Sequence, residues 1–372
     1  MIAGILAISL FLILCYHVPK IKLGNLENDG SAIKSLSIII PARNEEETIR
    51  TILNSIKSQA DQPLEIIVVD DHSSDQTKNI ALEYNVKVVD NPPLPQGWLG
   101  KSWACWNGAR VAKGDYLMFV DADTWFAPNG MKNAILFFES SKYEIITIHP
   151  YHHMKKFYEK FSSFFHLIVF ISSGVTVTPL LSKRLINKGG FGQSLLCKRT
   201  SYFSIGGHES IKGEVVENLA FVQHASARNN SVYAIGGYDV INMRMYHNGI
   251  SSVFKGWGKS FASGSKKTQP VLMIFIVLWI SSLFTFLTNS FTIIVDNPYI
   301  FLIIYSTISF LFYKMLKVIG NFTVLDAFLF PLHILFFLAV FCFSLLKTYV
   351  LKNTSWKGRT IIMTKHGDDQ EL

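Results

Sequence analysis

Short apolar runs alternate with amphipathic stretches from Leu36 to Thr124. Leu36–Ile40 is apolar almost throughout, the pattern of a parallel strand buried on both faces, and Pro41 ends it. Glu45–Glu47 then read as the first turn of a helix, where acidic side chains complement the dipole. The design repeats with a strand over Glu65–Val69, a loop over Asp70–Ser74 and a helix from about Asp75. "VKVVD" is a third, short strand. The Pro- and Gly-rich "NPPLPQGWLG" leads into a helix over "KSWACWNGARVA", and Tyr116–Val120 supplies a fourth strand. Strands alternating with helices predict an α/β fold with a doubly wound, mostly parallel sheet, whose ligands bind beyond the carboxyl ends of the strands.

Beyond that region the pattern changes. Val271–Val295 carries no charge and is long enough to span a bilayer. Leu325–Leu346 is a second candidate span, interrupted by Asp326, Pro331 and His333, and the shorter Pro298–Tyr313 reads as a span or a re-entrant segment. Met1–Tyr16 is apolar, lacks a basic leader and a small-residue cleavage site, and reads as a retained anchor. "KKFYEKFSSFFHLIVFISSGV" begins basic and aromatic and turns apolar, which predicts an interfacial helix over about 153–175. The resulting division is an anchor over 1–18, a globular domain over 35–260, transmembrane helices over 270–350 and a tail over 351–372.

Charge orients this arrangement. Lys20, Lys22 and Lys34 follow the anchor, and Lys266 and Lys267 precede the first C-terminal span, so the positive-inside rule places the globular domain in the cytoplasm of a multi-pass cell-membrane protein. Three C-terminal spans would put Lys352, Lys357, Arg359 and Lys365 outside, and two would put them inside. The formal net charge of +8 over 372 residues fits juxtamembrane lysines facing anionic lipid. The bases are scattered and accompany no nucleic-acid recognition motif, so no nucleic-acid partner is expected. Cys15, Cys105, Cys197 and Cys342 show no paired spacing, which points to a reducing compartment and no zinc site.

Three polar clusters fall at the predicted strand ends: Arg43–Asn44–Glu45, Asp70–Asp71 and Asp121–Asp123. In "FVDADT" two carboxylates close a buried strand, where they repel each other and are costly to desolvate without a compensating cation. Asp121 and Asp123 flank a small residue and both can address one hard cation, Mg²⁺ or Mn²⁺, that bridges a diphosphate; the plain alternative is an Asp pair capping a turn. Asp71 can accept from the imide N–H of a uracil ring, while Pro41 and Ala42 offer backbone atoms to base or ribose. Glu45 lies beside them, with a helix-dipole role as its alternative. Lys101 heads a helix after a flexible loop, either as a point charge for a diphosphate or as a solvated lysine. "DADT" also fits the motif of haloacid-dehalogenase-type phosphatases, with Asp121 as nucleophile, but there the motif lies on the first strand and the second acidic pair follows it.

"IIIPARNEEETI", "IIVVDDHSSDQT" and "FVDADT", in this order, resemble the GT-A domain of family 2 glycosyltransferases over residues 36 to about 260. The resemblance implies inverting transfer from a nucleotide-sugar, usually a UDP-sugar, with a divalent metal. It implies that Asp71 reads the base and that Asp121 and Asp123 are the ribose and metal ligands. "GKSWACWNGA", "HPYHHMKKFYEKFS", "GGHESIKGEVVENLA" and "RMYHNGISSVFKGWGKSFASG" are similar to the membrane-bound carotenoid branch of that family. That narrower resemblance implies glucosylation of the terminal carboxylate of a C30 carotenoid acid; a polyprenyl phosphate or glycerolipid is the alternative acceptor. Family members often carry Glu-Asp where this chain reads Glu217–Asn218, which leaves Glu217 as the base, with Glu214 in reserve. A carboxylic acid acceptor is already ionised near neutral pH and needs little proton abstraction. Arg244, Trp257 and Lys259 match the family's acceptor-side element, Trp257 either stacking on the sugar or anchoring at the membrane interface. His208 follows Gly206–Gly207 in a loop expected on the acceptor side, or is structural.

Overall fold

The computed structural model describes residues 1–21, 32–182, 185, 189–214, 216–266, 268–346, 353–356, 359–362 and 370–371. The chain divides into two compact units. One, helical, comprises Met1–Pro19, His152–Gly189 and Met245–Val350; the other, built on a sheet, comprises Lys20–Tyr151, Gly190–Arg244 and Leu351–Leu372.

The sheet has eight strands among the described residues. They are β1 (Leu36–Ala42), β2 (Glu65–Asp70), β3 (Lys87–Asp90), β4 (Tyr116–Val120), β5 (Thr124–Phe126), β6 (Ile145–His152), β7 (Ser194–Lys198) and β8 (Val232–Met243). Their order is β3-β2-β1-β4-β7-β6-β8-β5. The first four in that order run parallel, as the sequence predicts. The sheet then continues antiparallel, with β7 between β4 and β6 and β5 against β8. Side chains alternate across each parallel strand. Ile38, Ile40, Val68, Met118 and Val120 enter one core, and Ile39, Ile67, Val69, Leu117 and Phe119 enter the other. Burial on both faces is why these strands read as apolar runs rather than as alternating ones.

The helices that flank the sheet position the polar rim. In Ile49–Lys57, Ile49, Ile52, Leu53 and Ile56 form one stripe at helical spacing and are all 0% exposed. This helix begins four residues later than the acidic cluster suggests, so Glu45 lies in the turn before it, where Thr48 Oγ1 donates to its carboxylate at 2.8 Å. Gly100–Val111 lies closely on β1 and β2. A Cβ on Gly108 would sit 2.5 Å from Ile39 Cγ2 and 3.0 Å from Val69 Cγ2, so only glycine permits this approach. Register completes the rim. Ala42 stands opposite Asp70, and Asp70 opposite Asp90, so three parallel strands end level.

In the helical unit Trp279 is 0% exposed and packs on Phe11 at 5.6 Å and on Phe164 at 5.5 Å between ring centroids. Within the segment expected to lie at an interface, Phe157 is 55% exposed, whereas the apolar part that follows is buried in this unit. Phe157–Ser162 forms a 3-10 turn and Ser163–Ser172 an α-helix, with Phe164, Phe165, Leu167, Phe170 and Ile171 at most 1% exposed. A helix apolar on all sides has no polar face to leave in water, and burial follows. The uncharged run after Pro270 breaks at Asn289 into Pro270–Thr288 and Ser290–Asp296. Pro298–Ile319 extends beyond the stretch read from sequence. Asp326 does not interrupt a span: it caps the separate short helix Val324–Phe328 through Thr323 and takes a 2.7 Å ion pair from Lys160, and the long helix starts at Phe330. Among the described residues, Pro270–Thr288 and Pro298–Ile319 are long and apolar enough to cross a membrane. The N-terminal helix Ile2–Leu14 is shorter.

Candidate active site

The level strand ends bring the predicted polar clusters together around one cavity of about 160 Å³. Pro41 and Ala42 line it from the end of β1 and Glu45 from the turn that follows, Asp71 from directly after β2, Asp121 and Asp123 from the turn after β4, and Lys101 from the helix Gly100–Val111. The Asp-Ala-Asp-Thr turn is held from within. Thr124 Oγ1 donates to the Asp121 carbonyl at 2.7 Å, and the Asp121 N–H donates to the Gln193 carbonyl at 3.1 Å. Thr124 is 0% exposed, so the fourth residue of the motif fixes the turn while the two acids face the cavity.

Lys101 is the electrostatic centre. Its Nζ lies 2.7 Å from Asp121 Oδ1 and 2.6 Å from Glu217 Oε1. Glu217 opens the helix Glu217–Ala227, a position that favours a carboxylate. Burial pushes the Asp121 carboxyl up to about 6 against the pull of Lys101, and Glu217 adds to the rise. Burial alone would lower the Lys101 ammonium, but Asp121 and Glu217 outweigh it and hold it well above its ordinary value. The expected metal fits this donor set. Asp121 and Asp123 offer hard oxygens on one turn, and the Lys101 ammonium already stands at Asp121 as the cation that a desolvated carboxylate requires.

The acceptor-side expectations fare differently. His208 is 0% exposed and does not line the cavity; Tyr202 Oη lies 2.8 Å from its Nδ1 and its ring stacks on Phe221 at 10°. The reason is apolar packing around a neutral ring, whose pKa is pushed down to about 3 by burial first and by the charge on Lys101 second. Trp257 belongs to the helical unit, where its indole N–H donates to Ser162 Oγ at 3.0 Å and its ring stacks on Phe165 at 4.8 Å. Arg244 ends the sheet-unit segment Gly190–Arg244 and is half-buried. The Lys259 side chain lies outside the described residues.

Arg43, read from sequence as part of a strand-end cluster, reaches Asp71, and so does Asn91, which sequence reasoning did not single out. Arg43 Nη1 donates to the Asp71 carbonyl at 3.1 Å, and Asn91 Nδ2 donates to Asp71 Oδ1 at 2.8 Å. Asn91 directly follows β3, so extending the strand-end rule to that strand would have found it. Asn218, the residue after Glu217, donates to the Gly192 carbonyl at 2.6 Å. Asn218→Asp is therefore expected to weaken the enzyme rather than restore a base. It sets a carboxylate oxygen against a carbonyl and costs about 1–3 kcal/mol. A lower thermal midpoint with no gain in transfer rate checks this.

Buried neutral histidines also set an acid limit. Burial lowers His149 to about 4 and His208 to about 3, both from 6.5. The unfolded chain then binds more protons than the folded one between those values, so the contribution to stability is full above 6.5 and is lost as pH falls towards 3–4. Thermal midpoints are expected to fall steadily across that window, and less steeply in His208→Gln.

A doubly wound sheet with acids at its rim and a DxD turn directly after β4 defines a GT-A-type glycosyltransferase domain. The Glycosyl transferase family 2 profile matches residues 37–203. This chain belongs to that family and is an enzyme, a glycosyltransferase; the phosphatase alternative falls away. The 4,4′-diaponeurosporenoate glycosyltransferase of Staphylococcus aureus strain MRSA252 is 32% identical over 345 residues, 89% of each chain. Its counterpart in strain USA300 is 32% identical over 344 residues, again 89% of each. Glucosyl-3-phosphoglycerate synthase from Mycobacterium tuberculosis, in complex with Mn²⁺, uridine-diphosphate and glucosyl-3-phosphoglycerate, aligns at TM-score 0.42 and 18% identity over 68% of this chain and 86% of that one. At that score the likeness assigns no role to any residue here.

Proposed function

We propose that this protein transfers glucose from UDP-glucose to the terminal carboxylate of a C30 carotenoid acid, forming a glucosyl ester with inversion at the anomeric carbon. The observation that carries the reading is the convergence of Asp71, Lys101, Asp121 and Asp123 on one cavity, with Glu217 held at 2.6 Å by the Lys101 ammonium. The name carried by the Staphylococcus aureus relatives supports the acceptor. Asp71 accepts the uracil imide proton, and Pro41 and Ala42 pack along base and ribose. Asp121 and Asp123 would hold Mg²⁺ or Mn²⁺, which when bound would supply charge neutralisation for the departing diphosphate. Lys101 gives up Asp121 and Glu217 when donor binds and turns its ammonium to the diphosphate. Glu217 then faces the incoming acceptor. With an ionised carboxylate it orients more than it deprotonates; with a hydroxyl it would act as base.

The membrane assignment rests on the two long apolar helices, whose Ile274, Val277, Leu302 and Ile303 are at least 52% exposed. A multi-pass protein with its sheet unit in the cytoplasm brings donor and lipid-soluble acceptor to one enzyme.

The test supplies labelled UDP-glucose and Mg²⁺ to detergent-solubilised protein with either a C30 carotenoid acid or a polyprenyl phosphate. Label in a base-labile carotenoid ester is expected. Label only in the polyprenyl phosphate overturns the acceptor assignment and keeps the donor site.

A further inference from the structure

We propose that Asn91 and Asn107 are positioning residues for the Asp71 carboxylate, and that through it they set the nucleobase selectivity of the donor site. The inference rests on the reading of Asp71 as the group that faces the base. Asp71, Asn91 and Asn107 are 2%, 2% and 7% exposed, so their polar groups are satisfied by one another rather than by bulk water. Asn107 Nδ2 donates to Asn91 Oδ1 at 3.0 Å, and Asn91 Nδ2 donates to Asp71 Oδ1 at 2.8 Å. The direction of this relay is fixed by chemistry. An ionised carboxylate only accepts, so Asn91 must present its NH₂ to Asp71 and its oxygen to Asn107, which in turn must present its NH₂.

Each member is anchored in the backbone. The Asn91 N–H donates to the Asp70 carbonyl at 2.9 Å and the Asp71 N–H to the Ala42 carbonyl at 2.8 Å, extending the level ladder of β1, β2 and β3 by one residue. Asn107 Nδ2 also donates to the Trp103 carbonyl at 3.0 Å, and the Trp103 indole N–H donates to the Pro92 carbonyl at 2.9 Å. The helix that carries Lys101 therefore grips the residue after Asn91 as well as its side chain. On the other side Arg43 Nη1 stands 3.5 Å from Asp71 Oδ2. Held between Arg43 and Asn91, the carboxylate keeps its angle, and it lines the cavity as a hydrogen-bond acceptor. Uracil offers an N–H at ring position 3, which such an acceptor rewards. Cytosine offers a lone pair there, which it repels. Rigid placement is what turns that difference into selectivity.

Dissociation constants for UDP and CDP, measured with Mn²⁺ on the full-length protein, test the relay. In Asn91→Ala the UDP affinity is expected to fall about tenfold, the weight of one hydrogen bond to a charged group, while CDP changes little. Asn107→Ala, one bond further from Asp71 and milder for folding, should shift the UDP/CDP ratio in the same direction by less. Asp71→Asn serves as reference and should collapse the ratio. Equal weakening of UDP and CDP in both asparagine variants, or no change in either, beside a collapsed ratio in Asp71→Asn, overturns the relay and leaves the donor reading intact. An unchanged ratio in Asp71→Asn removes the donor reading and the relay with it.

Discussion

Asp123→Ala is expected to lower the rate of glycosyl transfer by about 10³-fold or more, because charge that develops on a departing diphosphate loses its neutralising partner. Fold loss does not account for such a fall. Asp123 is only half-buried on a turn whose backbone is closed by Thr124 and Gln193, and neither contact uses the Asp123 side chain. Circular dichroism and the thermal midpoint should therefore stay close to the parent. A chelator added to the parent protein should reproduce the loss, and excess Mn²⁺ or Mg²⁺ should reverse it. Transfer retained within about tenfold in Asp123→Ala would place the cation, or the chemistry, elsewhere.

Lys101→Met carries the second large effect, and it separates two roles. In the absence of donor, Lys101 neutralises Asp121 and Glu217 at 2.7 and 2.6 Å. Its removal leaves two desolvated carboxylates facing one another. The pair is about a quarter exposed on the lysine side, so the cost is set below that of a fully buried ion pair, at about 2 kcal/mol. Transfer should fall about 10²-fold, as expected for loss of a positioned cation at a leaving group. The distinguishing readout is metal-induced stabilisation. In the parent protein a divalent cation must displace the ammonium from Asp121, whereas in Lys101→Met it meets an uncompensated acidic pair. Mn²⁺ should therefore raise the thermal midpoint more in the variant than in the parent. An equal rise in both would mean that Lys101 and the cation do not share Asp121.

These two residues show how differently the sequence speaks about parts of one site. Asp121 and Asp123 were legible because an apolar strand that stops at two acids is a local statement, with its cost of desolvation written into adjacent positions. The partnership of Lys101 with Glu217 was not. The two are far apart in sequence, and they meet because the helix Gly100–Val111 lies close enough on β1 and β2 for Lys101 to reach the rim, an approach that hangs on the missing Cβ of Gly108. For His208 the structural alternative holds, and its reason is also tertiary. A histidine after two glycines reads as a loop residue, but its surroundings of Tyr202, Phe119 and Phe221 come from three other segments.

What the sequence determined by itself was whatever depends on neighbours a few residues away. This includes the strand–helix alternation, the double-faced burial of the parallel strands, the acids at their ends and the long uncharged helices. Tertiary structure alone decided the rest. Local periodicity carries no information on strand register, yet register set Ala42, Asp70 and Asp90 level and so brought Arg43, Asp71 and Asn91 side by side. Nor does it say what covers an apolar segment: an interfacial helix was expected over about 153–175, and its apolar part, Ser163–Ser172, is packed inside the helical unit. Selectivity and charge balance arise from those long-range placements, because hydrogen bonds and ion pairs act over a few ångströms of space regardless of distance along the chain.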